Sequence, residues 1–211
     1  MPTSCDTVPS KIGIVSQLQI RHMKTFKLTF FLAITSLFAT AQNWKSDPEH
    51  SRLGFRIEHM LISEVNGIFK DFEIGVKAAK PDFSDAVIEL TAKIGSIDTE
   101  VEARDKHLKS QDFFDTENYP AIQFKSKSIS RIGKNSYFVT GMLTMHGVTK
   151  QVKMRMVHNG TINNTLSKKR TAGFQVNGII SRSDFGIGNK FPGKLVGDKV
   201  SIIVDAELQL Q

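Results

Sequence analysis

The sequence predicts an all-β chain: an up-and-down antiparallel barrel of about eight strands with one short helix inserted near residues 99–110. Three observations carry that reading. From residue 43 onward nearly every segment alternates apolar and polar side chains with period two, the spacing of a strand with one buried face. The segments are joined by short turn-forming stretches such as Pro81-Asp82, Gly133-Lys134-Asn135 and His146-Gly147. Only residues 99–110 break the alternation with a helical repeat. A flat sheet of such strands leaves two unpaired edges, which closure removes. A two-sheet sandwich, with its apolar faces packed together and no cavity, satisfies the same periodicity and stays open at this point.

The first strands fall at 44–47 and 50–60, with Leu53, Phe55 and Ile57 on one face and Arg52, Arg56 and Glu58 on the other. In 65–78, Ile68, Phe72, Ile74 and Val76 share a phase that Phe69 leaves, and Gly67 and Gly75 mark a bulge or bend. Ile88, Leu90, Ala92 and Ile94 then alternate with Glu89, Thr91 and Lys93. Thr99 followed by Glu102 fits a capping box, and Val101, Arg104, Asp105 and Leu108 share one helical face. The helix cannot run past Phe113-Phe114, which sit between Asp112 and Asp115, and Tyr119-Pro120 turns the chain back to extended geometry. Strands near 121–130 and 136–146 form a hairpin. The strand at 148–157 puts Val152, Met154 and Met156 opposite Lys153 and Arg155, and Asn159-Gly160 opens a polar loop to about Ser167. Residues 171–181 read as one strand bulged at Asn177-Gly178. The last strand alternates most plainly, from Val200, Ile202 and Val204 to Ala206, Leu208 and Leu210.

At the start, Met23-Lys24-Thr25-Phe26-Lys27, a short apolar run and Ala39-Thr40-Ala41 have the three parts of a secretory signal peptide, cut near Ala41. The apolar run is shorter than the roughly 18 to 20 residues a spanning anchor needs. We therefore expect residues 1–22 to be an upstream extension, 23–41 a signal peptide and 43–211 the barrel domain, periplasmic or secreted. The single Cys5 lies in the extension, so the expected mature chain has no disulfide, thiol nucleophile or lipidated cysteine. Residues 1–41 carry four cationic side chains against Asp6, which takes three from the net charge of +7 and leaves +4. That mild excess, with no long basic run or aromatic-basic pattern, argues against nucleic acid. The basic cluster Lys168-Lys169-Arg170 is a solvated loop or the rim of a transient membrane-surface contact. A homodimer is compatible with the sequence.

Catalytic signals are poor. No Gly-x-Ser-x-Gly elbow, P-loop or His-Glu-x-x-His pattern occurs. His50, His59, His107, His146 and His158 lack the spacing of a preformed metal site, so no metal is expected, although a site assembled across strands stays open. Asp98, Asp105, Asp112 and Asp115 read as caps and solvated charge. Arg104-Asp105 and Arg182-Asp184 place an arginine either at a ligand head group or in a structural ion pair. An enzyme using Arg104, Asp105 and His107 at the barrel mouth, and a solid-cored interaction module, are the alternatives to a binding protein.

An eight-stranded barrel has an interior that side chains fill or that holds one small ligand. The inward candidates Phe55, Ile57, Phe72, Ile74, Ile88, Leu90, Phe124, Leu143, Met145, Met154 and Phe174 carry no charge and suit an apolar ligand. At about 0.8 kcal/mol per buried CH₂, a ten-carbon chain gains roughly 8 kcal/mol, comparable with the roughly 4–15 kcal/mol cost of association. Useful affinity therefore favours long chains.

Four blocks together resemble a known family. They are Asp47-x-x-His50-Ser51 with Phe55, His59, Gly67 and Phe69; Arg104-Asp105-x-His107-Leu108 through Phe113-Phe114 to Tyr119-Pro120-x-Ile122-x-Phe124-x-Ser126; Gly141-x-Leu143-Thr144-x-His146-Gly147-Val148-Thr149; and Arg182-x-Asp184-Phe185-Gly186-Ile187. In order, they are similar to the YceI-like family of bacterial periplasmic proteins. The resemblance implies a lipocalin-like barrel that takes a polyisoprenoid chain, such as an isoprenoid quinone or related long lipid, into its pore. It implies no catalysis and no required cofactor or metal. It also implies that the 99–110 helix and Phe113-Phe114 lie against the barrel and help cover it.

Overall fold

The computed structural model describes residues 40–211, so the expected extension and nearly all of the expected signal peptide lie outside the described residues. Eleven strands form one sheet: β1 (Gln42–Ser46), β2 (Arg52–His59), β3 (Ser63–Phe69), β4 (Phe72–Ala78), β5 (Val87–Lys93), β6 (Ile97–Asp98), β7 (Ala121–Arg131), β8 (Ser136–Met145), β9 (Val148–Asn163), β10 (Arg170–Ser181) and β11 (Val196–Leu210), with α1 (Glu102–Lys109) between β6 and β7. The first six are short because three staves are interrupted: β1 continues into β2, β3 into β4, and β5 into β6. The result is an eight-strand antiparallel barrel. β11 closes it by pairing its C-terminal part with β1 and the rest with β2, which rules out the open sandwich.

Inward and outward positions alternate as the sequence requires, most cleanly in β8, where every second residue from Tyr137 to Met145 is buried. The break between β3 and β4 explains one misreading. Lys70 and Asp71 step out of the ladder, held by the Ser96 carbonyl and hydroxyl, and the phase changes across them. Phe69 therefore points inward and is buried, whereas Ile68 lies on the outer face with Arg52 and Asn66. β9 also runs six residues beyond the strand expected at 148–157, because the 159–163 segment pairs with β10 instead of forming a polar loop. β10 is one strand as expected, but its register shifts at Gly173/Phe174 and not at Asn177-Gly178. Gly178 serves another purpose: a Cβ there would fall 1.8 Å from the Met154 sulfur, so the glycine makes room for Met154 inside the barrel.

α1 begins at Glu102, and its N-cap, Val101, makes no side-chain cap bond. The expected capping box is absent because the buried Thr99 turns its hydroxyl to Asp105 and Arg104. Val101 is exposed and does not join Arg104 and Leu108 on the covered face.

One end of the barrel, formed by the 79–86 loop and the β7–β8 and β9–β10 turns, is closed by aromatic packing. Phe83 meets the rings of Trp44, His158 and Phe174 edge-on, with centroids 5.3, 5.0 and 4.9 Å away. The Tyr137 hydroxyl donates to the Asp82 carbonyl at 2.8 Å, tying the loop down. His158 stacks on Phe174 and shares a hydrogen bond with the Thr161 hydroxyl. Burial pushes its imidazole below the ordinary value of 6.5, a hydrogen bond with the Gly160 backbone and the charge of Asp82 opposing. As pH falls below that ordinary value, the unfolded chain binds a proton that the folded chain refuses, so stability drops until the folded value is passed. His158→Phe should remove this acid loss: urea midpoints near pH 5.5 and about 7.5 should differ less in the variant than in the wild type. His50, raised by its hydrogen bond to Asp47, acts in the opposite direction and is common to both proteins.

Candidate ligand cavity

The barrel interior is not solid. An inner chamber of about 140 Å³ is lined only by apolar side chains and Gly54, among them Ile74, Ile88, Leu90, Phe124, Leu143, Met154 and Phe174. A second chamber of about 300 Å³ lies at the other end of the barrel, the end that carries α1, and Phe55, Ile57, Phe113 and Phe114 are in its wall. Phe69, Ile122, Met145, Ile180 and Ile202 belong to both walls, so the chambers are neighbours on one axis. Of the apolar lining residues offered by the sequence, only Phe72 lines neither; it packs against the core beside them. A void the size of the inner chamber accommodates a benzene-sized apolar group and stays dry when empty of polar partners. Both chambers together fall at the lower end of the size range of ordinary small-molecule sites.

Sequence reasoning missed Phe69, through the phase change described above, and Phe191, which sits in a loop without periodicity. Val139, Met156 and Ile180 also line a chamber; each has an apolar residue beside it in sequence, Phe138, Val157 and Ile179, which blurs the alternation there.

Polar side chains enter only at the mouth, where Glu58, His59, Arg104, His107 and Arg182 reach the second chamber. A cover over that chamber is built from α1, Phe113-Phe114 and the 182–195 loop. Phe113 stacks on Phe191 with centroids 4.9 Å apart and planes 11° from parallel, and His107 stands edge-on to both rings. Phe114 packs edge-on against Phe69.

Arg182 holds the loop. It is 6% exposed, and all five of its N–H groups donate to backbone carbonyls: Nε to Gly197, Nη1 to Ile187 and Gly188, and Nη2 to Phe191 and Val196, at 2.6–3.0 Å. Gly188 permits this approach, with φ at +64° and space for a Cβ already taken by the Phe113 ring and Arg182 Nη1. Arg182 thus has no donor left for a head group, and it does not pair with Asp184, which is exposed. Asp198 lies nearby, its carboxyl lowered mainly by hydrogen bonding from Ser183, with the Arg182 charge adding.

Arg104 and Asp105 do not pair with each other either. Both clasp Thr99: Asp105 Oδ1 accepts from its N–H and hydroxyl, and Arg104 donates through Nε to the hydroxyl at 2.8 Å and through Nη2 to the carbonyl at 2.6 Å. The remaining Arg104 Nη1 has no hydrogen-bond partner among the described residues, and the side chain faces the mouth. His107 shares its hydrogen bond with Asp112 at 3.3 Å, and Asp112, its carboxyl lowered first by Lys190 and then by His107, also accepts from Lys190. Asp105 and His107 therefore do not form a dyad. Among the described residues one group combines three metal-ligating side chains, Asp47, His50 and Glu207, at the break between β1 and β2. Asp47 there already accepts from Glu49 N–H and Gln209 Nε2 and is bonded to His50, an arrangement that fixes the strand break.

The YceI-like domain matches residues 44–208. A UPF0312 protein of Photorhabdus laumondii is 38% identical over 156 residues, 73% of this chain and 80% of that protein. A UPF0312 protein of Staphylococcus aureus is 34% identical over 172 residues, 80% of this chain and 98% of its own length. Among solved structures, the YceI protein of Campylobacter jejuni superposes with a TM-score of 0.67 at 30% identity, covering 73% of this chain and 90% of that one. A polyisoprenoid binding domain from Saccharophagus degradans shares the fold, with a TM-score of 0.60 at 13% identity over 81% of this chain and 99% of that one. The four sequence blocks, the closed barrel and the domain match over most of the described chain agree: this protein belongs to the YceI-like family.

Proposed function

We propose that this protein is an exported, non-enzymatic binding protein that holds or carries one long apolar lipid, of polyisoprenoid or isoprenoid-quinone type, with its chain extending through the mouth chamber and its end in the inner chamber. The observation that carries this reading is the inner chamber, apolar on every side and sharing a wall with a mouth chamber where polar groups first appear. Sequestering a chain there removes its surface from water at about 0.8 kcal/mol per CH₂. Met145, Met154 and Met156 line the inner chamber, and flexible thioether side chains adapt to chains of different length. The free Nη1 of Arg104 donates to a carbonyl or phosphate at the head of the ligand, with His107 on the same rim. The polyisoprenoid-binding domain that shares this fold supports the ligand class. The signal-peptide pattern supports a periplasmic or secreted location after cleavage near Ala41.

The test is uptake. Purified protein incubated with detergent-dispersed polyprenol or ubiquinone should elute from gel filtration with bound lipid, saturating at one chain per protein. Absence of saturable uptake of either lipid would remove the proposal.

A further inference from the structure

The turn between β2 and β3 contradicts the chemistry of its own backbone. Met60 and Leu61 both have positive φ, 55° and 63°, and the Ile62 N–H donates to the His59 carbonyl at 3.3 Å. Two successive left-handed residues closed by such a bond have the geometry of a type I′ turn, where Asn-Gly is the favoured pair. Bulky L-residues are strained in that region. Packing within the protein offers little compensation, since Met60, Leu61 and Ile62 are 51%, 57% and 86% exposed. Three apolar side chains are held out in water at a turn that polar residues would make more easily. Such a conflict between local chemistry and sequence is expected at functional sites.

The position of the turn gives the reason. It stands at the mouth end of the barrel, where the Met60 N–H donates to the Leu195 carbonyl at 3.0 Å. Leu195 is in the wall of the mouth chamber and is itself exposed, as His59 before the turn is in that wall too. Apolar surface thus continues from the chamber over Leu195 to the tip. Lys194, beside it, is exposed and forms no ion pair among the described residues. By contrast, the basic cluster Lys168-Lys169-Arg170 follows the β9–β10 turn at the closed end, away from the mouth.

We propose that Met60, Leu61 and Ile62 form a finger that seats the barrel mouth on a lipid bilayer surface, so that an apolar chain passes between bilayer and chamber without crossing water. This purpose rests on the apolar-cargo reading. A bilayer fits the finger better than a protein partner does, because a stable protein interface buries about 800 Å² on each side and three side chains at a turn tip supply far less. A bilayer, in contrast, receives isolated apolar side chains one at a time.

The double substitution M60N/L61G tests the finger without harming the fold, since it installs the preferred type I′ pair; Ile62→Ser completes the removal. Protein purified as it accumulates in a bacterial host is floated with vesicles of phosphatidylethanolamine and phosphatidylglycerol. The wild type should co-float, and the triple variant should partition at least tenfold less while its urea midpoint is unchanged or higher. Uptake of a pyrene-labelled dodecyl chain from detergent should be equal in both proteins. Equal partition of variant and wild type would overturn the proposal, as would absence of vesicle binding by the wild type, or a tip-dependent dimer without vesicle binding. Tip-dependent flotation with no probe uptake by either protein would sustain the finger and count against the cargo reading instead.

Discussion

Replacing Arg182 with methionine should cost about 3–5 kcal/mol of stability, a large share of what a domain of this size possesses. The guanidinium is buried, and its five donors satisfy five carbonyls drawn from 187–197. Methionine restores the volume but supplies no donor; the Gly188 carbonyl keeps the Phe191 N–H, and each buried carbonyl left unsatisfied costs about 1–3 kcal/mol if the loop does not move. The loop will therefore move, and the Phe113–Phe191 stack with it. Arg182→Lys should recover little, because three donors on a flexible stem cannot reproduce a planar fork that reaches in five directions. Urea unfolding measures this directly: a lowered midpoint with an unchanged slope is expected in both variants. A loss below about 1 kcal/mol would mean that the loop is held by something other than Arg182.

Ile202→Trp should reduce lipid uptake by at least tenfold, at a stability cost of no more than about 1–3 kcal/mol. Ile202 points inward from β11 into the wall that both chambers share, where a larger ring takes space from both. Its neighbour Ile203 faces outward, opposite Gly54 and Asn177 on the flanking strands. Ile203→Trp therefore adds the same bulk on the other side of the same wall. Uptake of a polyprenol should fall only in the inward variant; an equal fall in both would show that uptake is lost through general damage to the barrel.

The barrel itself was legible because each stave buries one face, and period-two alternation reports that burial directly. It failed at 68–72, where two residues leave the ladder and the phase shifts without any proline or glycine between Phe69 and Phe72 to announce it. The helix was legible from its repeat but not its cap, since the bonds that Thr99 makes depend on Arg104 and Asp105 folding back over it. At the candidate site, the alternation offered Phe72, which lines neither chamber, and missed Phe69, while Phe113-Phe114 came from the resemblance; the other strand residues it offered face a chamber. The role of Arg182 was beyond sequence, because its partners are backbone carbonyls, which leave no mark in side-chain identity. The same holds for the Met60-Leu61 turn: positive φ at two bulky residues is visible only once the backbone is seen.

The most direct test of the central claim is native mass spectrometry of the protein purified from a bacterial host, followed by denaturing release of what it carries. An occupied apolar chamber predicts a discrete additional mass that is released as a polyprenyl or quinone species and is lost in Ile202→Trp. A bare protein mass that persists after incubation with long-chain isoprenoid lipids would mean that the chambers hold no such lipid.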